Sequence, residues 1–168
     1  SLTFTVAADD PAALKYIFKG SLPIDESIYF QRRYITSNIK QRLHQKTFRE
    51  RVLEAYNRQC AFCRLRHSEL LDAAHIIPDS DELGAPEITN GLSLCKIHHA
   101  AFDSNLVGIT PEFKIKVRED VLREEDGPML LYGIQRLHNQ RIILPRSKNF
   151  WPDQERLEIR YRKFKEAG

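Results

Sequence analysis

The sequence predicts an α+β fold in which a small strand–loop–strand–helix unit is flanked by helices and a short accessory hairpin. Three observations lead to this prediction. Apolar residues recur at helical spacing near both ends of the chain, and two short apolar runs between them are bounded by turn residues. All three cysteines fall within a C-x-x-C and a C-x-x-H pattern. At 168 residues, the chain is long enough for one domain with an extension.

The first element is an amphipathic helix predicted over about Ile39–Arg58. Its polar side carries many Arg and Lys residues, and its apolar residues recur at roughly helical spacing: Leu43, Phe48, Val52, Leu53 and Tyr56. We divide the chain at this helix into residues 1–38, an N-terminal extension or the remnant of an upstream domain or linker, and a single domain over residues 39–168.

The strand–loop–strand–helix unit follows. Leu70–Ile77 is a short apolar run stopped by Pro78, which predicts a strand. Asp79–Pro86 is acidic and rich in turn residues, which predicts a surface loop. Gly91–Leu94 then predicts a second strand and Lys96–Asp103 a short helix.

The remaining elements are short and surround this unit. Val107–Ile109 and Phe113–Val117 predict an accessory hairpin, and Arg141–Leu144 predicts one more short strand. A final amphipathic helix with basic residues on its outer face is predicted over Asp153–Lys165, directly after Pro152.

Charge is unevenly distributed around a net charge of +3. Residues 30–66 contain ten Lys or Arg against two acidic residues, whereas residues 67–126 contain five against thirteen. Basic segments beside an acidic middle favour a polyanionic partner such as a nucleic acid, the alternative being solvated helix faces. No apolar run approaches the roughly 18 residues of a membrane helix, so no membrane partner is expected.

The cysteines predict a metal site. The pair Cys60 and Cys63 is separated by 31 residues from the pair Cys95 and His98. Zinc favours four tetrahedral N and S ligands, and a two-residue gap directs both side chains of a pair at one ion. We therefore predict a closed, structural Zn²⁺ site, the alternative being three unrelated thiols and a surface histidine. The same pattern favours a reducing compartment, the cytoplasm, over a disulfide framework.

A second site is predicted around His99, the neighbour of His98. Adjacent helical residues point about 100° apart, so these two histidines cannot serve one site from one face. Asp103 lies four residues after His99 and shares its helix face. The other polar candidates are Asp72, His75 and Asn90. One histidine that takes a proton from water, together with a metal held by histidine and carboxylate, is enough to cut a phosphodiester bond.

These motifs resemble the ββα-metal core of the HNH endonuclease family, in its zinc-stapled branch. The similar runs are LLDAAHIIP and TNGLSLCKIHHAAFD, and the resemblance covers roughly Phe48–Leu122. The letters H, N and H fall on His75, Asn90 and His99, separated by fifteen and nine residues. More loosely, RYIT and GIQRLHNQRIILP are similar to bacterial HNH proteins with an N-terminal DNA-reading domain, some of them modification-dependent restriction endonucleases with an SRA-like, modified-cytosine-reading domain.

The resemblance implies a role for each site residue. His75 would be the general base that activates water, and Asn90 would bond the loop backbone and hold His75 in line with the phosphate. His99 would bind the catalytic cation, Mg²⁺ or Mn²⁺. Asp103 falls where related enzymes use a second polar residue for metal or leaving-group contact.

The chain departs from the family pattern just before the base. Many HNH enzymes carry a metal-ligating Asp or His there, whereas this chain has Ala74. Asp72 is the nearest carboxylate in sequence and lies on the same strand face as Ala74, so we nominate it as the substitute ligand or as a group that supports the ligands.

The resemblance and the charge together imply a metal-dependent DNA endonuclease that acts as the cleavage module of a bacterial restriction or defence enzyme. The final helix and six residues around the first helix would contact DNA phosphates: Arg42, Lys46, Arg49, Arg58, Arg64 and Arg66. Double-strand cleavage would require a homodimer or two successive nicks, and target choice an upstream modified-base-reading domain or a partner. The alternative, which Ala74 keeps open, is a zinc-stapled DNA-binding module with a decayed nuclease centre.

Overall fold

The computed structural model describes residues 35–36, 45–125 and 127–168. The chain divides into two units, Ser1–Lys40 and Gln41–Gly168, and the architecture below is that of the second unit. The predicted extension over residues 1–38 lies almost wholly outside the described residues, so the predicted domain boundary stays a prediction.

The first helix of this unit, α1, covers residues 45–55 of the described chain. Its apolar face is buried, which confirms the amphipathic pattern: Phe48, Val52, Leu53 and, just beyond the helix, Tyr56. The helix ends before the predicted Arg58 because Asn57 and Arg58 have left-handed φ angles of 54° and 49°. The Arg58 N–H donates to the Leu53 carbonyl at 2.7 Å, which closes the helix end and turns the chain toward the first cysteine.

The predicted strand–loop–strand–helix unit is present. Strands β1 (Leu71–His75) and β2 (Gly91–Cys95) pair antiparallel, with His75 opposite Gly91. Helix α2 (Lys96–Asp103) begins directly after β2 and packs against both strands. Cys95 is therefore the last residue of the strand and the N-cap residue of the helix.

The contact between α1 and β2 depends on a residue without a side chain. A Cβ atom added at Gly91 would overlap Cγ2 of Val52 and would lie 2.9 Å from Cζ of Phe48. Every residue of β2 is buried, and Tyr56 donates its hydroxyl to the Gly91 carbonyl at 3.4 Å. Gly91 thus lets α1 lie against the hairpin that carries His75.

The predicted accessory hairpin is also present. Strands β3 (Val107–Ile109) and β4 (Ile115–Val117) pair antiparallel. The second strand begins two residues later than predicted because Phe113 lies in the connecting turn, with a left-handed φ of 67°. Both strands contribute buried residues to the core that they share with α2.

The predicted strand over Arg141–Leu144 is wrong. Arg141 forms a single isolated bridge with Lys114, and no ladder continues from it. The Ile143 N–H instead donates to the Ala61 carbonyl at 2.8 Å. The segment therefore joins two different parts of the fold, the accessory hairpin and the turn between the first two cysteines, which prevents it from pairing along one strand.

Three further helices complete the described fold: α3 (Glu119–Arg123), α4 (Pro128–Gly133) and α5 (Gln154–Glu166). The last one matches the predicted C-terminal helix and packs against β3. Asp153 caps it, since its side chain accepts the Arg156 N–H at 2.9 Å. Within the described residues, no helix is long and apolar enough to cross a membrane.

We expect Gly91→Ala to destabilise the protein because the new methyl group would overlap Val52 and Phe48. Overpacking of this kind lowers the free energy of unfolding by about 1–3 kcal/mol, which thermal or urea denaturation will measure. Gly127→Ala is the matched control, because a Cβ there meets no atom within 4 Å. Equal stability of the two variants would contradict the tight packing of α1 on β2.

Candidate active site and metal centre

The four predicted zinc ligands come together at the start of α2. The ligand atoms of Cys60, Cys63, Cys95 and His98 all lie within 4.8 Å of one another. His98 Nδ1 is 3.2 Å from the sulfur of Cys95 and 3.4 Å from that of Cys60. In the described part of the chain, no other group of three or more His, Cys, Asp or Glu residues gathers as closely. Three thiols and one imidazole fit a tetrahedral zinc ion.

The turn between the first two cysteines directs both sulfurs to this point. The Cys60 N–H donates to the Leu65 carbonyl at 2.9 Å, and the Arg64 N–H donates to the Cys60 carbonyl at 3.0 Å. Arg64 has a left-handed φ of 65°, which reverses the chain after Cys63. The two bonds close a knuckle that brings the cysteine pair to the β2–α2 junction.

A backbone group from α4 orients the histidine ligand. His98 Nε2 lies 2.7 Å from the Gly133 carbonyl oxygen, which can only accept a hydrogen bond. Nε2 therefore carries the proton and donates it, which leaves the Nδ1 lone pair facing the sulfurs. Because this partner is a backbone carbonyl far along the chain, nothing in the sequence pattern identifies it.

The thiols lie close enough to shift one another's pKa. Hydrogen bonds from Cys60 and Cys63 hold the pKa of the Cys95 thiol far below its usual range. The corresponding bonds to Cys60 and Cys95 raise the pKa of the Cys63 thiol, because it holds the proton that its neighbours accept. A bound zinc ion would replace these protons, since thiolates are the form that binds metal.

The neighbouring histidine, His99, lies between two carboxylates. Its Nε2 is 3.2 Å from Oδ2 of Asp103, and its Nδ1 is 3.7 Å from Oδ2 of Asp72. The bonds to Asp103 and then Asp72 raise the pKa of His99 to about 9. The hydrogen bond from His99 in turn lowers the pKa of the Asp72 carboxyl. Without a metal, the ring is therefore protonated at pH 7.

These three groups do not converge on one point. Asp72 and Asp103 contact different nitrogens of the ring, and no choice of one ligand atom from each residue brings all three within 4.8 Å. A cation at His99 would therefore meet one carboxylate, with water completing its coordination as Mg²⁺ tolerates. Ala74 is fully buried, and Asp72 is the carboxylate of β1 that reaches His99.

His75 lies at the end of β1 in a partly apolar environment. Its ring stacks on Phe48, with centroids 4.2 Å apart and planes 16° from parallel. Burial lowers its pKa, an effect that the negative charge of Asp79 partly opposes. Its Nε2 atom is buried and has no hydrogen-bond partner among the described residues. A buried nitrogen of this kind is the sort of group that a bound water or a substrate atom satisfies.

Asn90 fixes the backbone immediately after His75. Its side chain is fully buried, accepts the Ile77 N–H at 2.9 Å, and donates to the Ile77 carbonyl at 2.9 Å and the Ala85 carbonyl at 3.1 Å. The Ile76 N–H donates to the Asn90 carbonyl at 2.9 Å. Asn90 thus closes the loop between β1 and β2 at the point where His75 emerges.

Arg49, which we predicted from the sequence to contact DNA, forms hydrogen bonds with protein groups. Its guanidinium donates to the carbonyls of Ser68 at 3.0 Å and Leu71 at 2.9 Å. It also pairs with Glu50 at 2.8 Å and lies 3.5 Å from the Asp72 carboxylate. Arg49 therefore fixes the start of β1 and helps to neutralise Asp72, a role that a charge pattern alone does not reveal.

The other nominated basic residues divide by their surroundings. Arg58 pairs with Glu50 at 3.2 Å on the surface. Lys46, Arg64 and Arg66 are exposed. Arg42 lies outside the described residues. Of the residues predicted to contact DNA phosphates, Lys46, Arg64 and Arg66 are therefore the most accessible ones.

We expect the two adjacent histidines to respond differently to substitution. His98→Ala should lose zinc and melt at a lower temperature, because it removes a ligand and its bond to α4. His99→Ala should keep its zinc and most of its stability. Metal analysis and thermal denaturation measure both quantities, and equal zinc loss in the two variants would contradict the separation of the sites.

Comparison with known proteins identifies the segment that holds this site. The family model described as HNH endonuclease matches residues 60–110. No curated protein sequence matches the chain. Among solved structures, a "Modification dependent TagI restriction endonuclease" is similar, with 20% sequence identity and a TM-score of 0.46; the match covers 70% of this chain and 37% of that one.

The matched segment contains both candidate sites. It begins at the first cysteine of the cluster and includes His75, Asn90 and His99. The strand–loop–strand–helix order and the three-cysteine, one-histidine cluster agree with the match. Residues 60–110 therefore match the HNH endonuclease family model in sequence, and the arrangement of their strands, helix and cysteine cluster is consistent with that match.

Proposed function

We propose that the chain hydrolyses phosphodiester bonds in DNA, with His75 as the general base and one divalent cation, Mg²⁺ or Mn²⁺, bound at His99. One observation carries this proposal. The buried Nε2 of His75 has no partner among the described residues, and it lies at the end of the strand against which the helix that carries His99 packs. A general base beside a possible cation site is the minimum that phosphodiester hydrolysis requires.

The surroundings of His75 suit a general base. Burial lowers its pKa, so the ring is neutral near pH 7 and able to take a proton from water. The stack on Phe48 restricts the ring, and the bonds of Asn90 to Ile77 restrict the backbone that follows. A fixed ring keeps the nitrogen aligned with the attacking water, which is where orientation contributes most to the rate.

His99 and its carboxylates provide donors that suit a hard cation. An imidazole nitrogen and carboxylate oxygens match Mg²⁺ or Mn²⁺, and either Asp72 or Asp103 supplies the second protein ligand. A cation bound there would neutralise charge on the scissile phosphate and the leaving oxygen. Binding requires the neutral ring, so His99 must first release the proton that the two carboxylates hold on it.

DNA would be held mainly through its phosphates. Lys46, Arg64 and Arg66 are exposed on α1 and the cysteine knuckle, and contacts of this type give salt-sensitive affinity without sequence choice. One such site cuts one strand, so double-strand cleavage needs a homodimer or two nicks. Choice of target would come from an upstream domain that reads modified bases, in a bacterial restriction enzyme of the cytoplasm.

The second candidate is a zinc-stapled DNA-binding module whose nuclease centre has decayed. Its support is Ala74, a buried methyl group at the position where many relatives carry a metal ligand. Asp72 and Asp103 each contact His99 and offer substitute ligands, which is why we place the enzyme first.

We expect supercoiled plasmid DNA to be nicked in the presence of Mg²⁺ or Mn²⁺, and His75→Ala to abolish the cleavage while keeping zinc. A lost general base costs about 10²–10⁴-fold in rate. His67→Ala, which changes an exposed histidine outside the site, is the control and should cleave like the unaltered chain. Equal inactivity of the unaltered chain and His75→Ala with several metals would favour the decayed module.

We also expect a specific dependence on pH. His75 acts in its neutral form, so with saturating metal the cleavage rate should fall only below the usual histidine pKa of about 6.5. His99 has a raised pKa of about 9, so below that pH protons compete with the cation. The Mn²⁺ concentration for half-maximal cleavage should therefore decrease as the pH rises from 6.5 toward 9. A pH-independent metal requirement would contradict the role of His99.

A further inference from the structure

The C-terminal helix α5 contacts the end of α2 through one arginine. NH2 of Arg160 donates to the carbonyls of Phe102 at 2.7 Å and Asp103 at 3.3 Å. Its guanidinium also lies over the Phe102 ring, 4.8 Å from the centroid. The last carbonyls of a helix lack partners within the helix, and a basic side chain that bonds them stabilises that end. Arg160 therefore fixes the turn of α2 that presents His99 and Asp103.

A second arginine of α5, one turn earlier, contacts the segment just before β2. NH1 of Arg156 lies 2.9 Å from the Glu87 carboxylate and 3.3 Å from the Thr89 hydroxyl. The Asp153 N–H donates to the Thr89 carbonyl at 2.9 Å. Thr89 directly precedes Asn90, so these bonds fix the backbone next to the residue whose side-chain amide closes the loop between β1 and β2.

We propose that Arg160 and Arg156 are positioning residues of the active site. In this proposal, α5 holds two halves of the site at a fixed separation: α2, which carries His99, and the segment that carries His75 and Asn90. This inference rests on the proposed nuclease function. Arg160 acts through the metal-binding half, α2, whereas Arg156 acts through the half that carries Asn90 and His75. Neither arginine touches the reacting atoms.

The contacts of these arginines argue against the phosphate-binding role that the basic outer face of the predicted helix suggested. Arg156 is mostly buried, with 18% of its side chain exposed, and Arg160 is half-buried. Arg162, by contrast, has 64% of its side chain exposed and pairs with Glu158 at 3.0 Å on the surface. An arginine that contacts DNA phosphates needs an exposed side chain, as Arg162 has.

The expected effect of replacing each arginine depends on which half of the active site that arginine contacts. Without Arg160, the end of α2 should move, and the cation should bind His99 and its carboxylate more weakly. Without Arg156, the cation should bind normally, but His75 should be less well aligned. Displacements of about 1 Å near a reacting group can cost up to about 100-fold in rate, so we expect at least about tenfold changes.

The test compares Arg160→Met, Arg160→Lys, Arg156→Met and the control Arg123→Met in the full chain. Arg123 is an exposed arginine of α3 that pairs with Glu119 at 3.3 Å. Mn²⁺ is the probe, and its binding is measured by electron paramagnetic resonance in parallel with plasmid cleavage at varied Mn²⁺ and DNA concentrations. Zinc content and melting temperature are recorded for each variant. Arg160→Lys keeps the charge but loses the planar fork, so it should restore Mn²⁺ binding partly.

We expect Arg160→Met to raise the Mn²⁺ concentration for half-saturation about tenfold in both assays, with KM for DNA unchanged. Arg156→Met should lower kcat about tenfold at unchanged Mn²⁺ half-saturation, and Arg123→Met should match the unaltered chain. An increase confined to KM for DNA, or unaltered Mn²⁺ binding and kcat, would overturn the proposal.

Two further results distinguish failure of the positioning proposal from failure of the proposed nuclease function. If Arg160→Met loses its zinc or fails to fold, Arg160→Lys decides, and unaltered Mn²⁺ binding in that variant counts against positioning. If the unaltered chain binds Mn²⁺ but leaves DNA intact, the nuclease function fails. The resonance titration of the Arg160 variants then still tests whether α5 fixes the metal-binding half.

Discussion

The direct passage from β2 into α2 is the constraint on which the rest of the structure depends. Cys95 ends the strand, occupies the N-cap position of the helix and brings its sulfur 3.2 Å from His98 Nδ1, with no loop between the two elements. Strand register then places Gly91 opposite His75, so the same junction sets the position of the candidate base relative to α2. A shift at Cys95 would move the candidate metal centre and the candidate catalytic residues together.

This junction explains why two adjacent histidines have different surroundings. His98 is buried and bonds to the cysteine cluster and the Gly133 carbonyl, whereas His99 lies between two carboxylates on the other side of the helix start. A metal ion bound at the first site would contribute directly to folding. The proposed chemistry at the second site would then depend on that ion although the ion lies apart from the reacting atoms, which would couple the stability of the fold to its activity.

Local spacing made the central unit and the cysteine cluster predictable, because two-residue gaps between ligands and a turn-rich loop between two short apolar runs restrict the backbone over a few residues. Contacts made by long side chains across the fold were not predictable in this way. Arg49 and Arg160 belong to basic helix faces in the sequence, yet both bond to backbone carbonyls on other elements. The apolar run Arg141–Leu144 has the sequence pattern of a strand. Its backbone bonds to two different partners, and that division is set by the tertiary fold rather than by local sequence. The failure of the three groups around His99 to converge also depends on ring orientation, which sequence spacing does not specify.

The central claim is that one helix start separates a structural zinc site from a catalytic cation site. Anomalous diffraction from crystals grown with Mn²⁺, recorded at the zinc and manganese absorption edges, tests it most directly. We predict a zinc signal among Cys60, Cys63, Cys95 and His98, and a separate manganese signal beside His99 with Asp72 or Asp103 as its second protein ligand. A zinc signal at His99, or no manganese signal near it, would contradict the account.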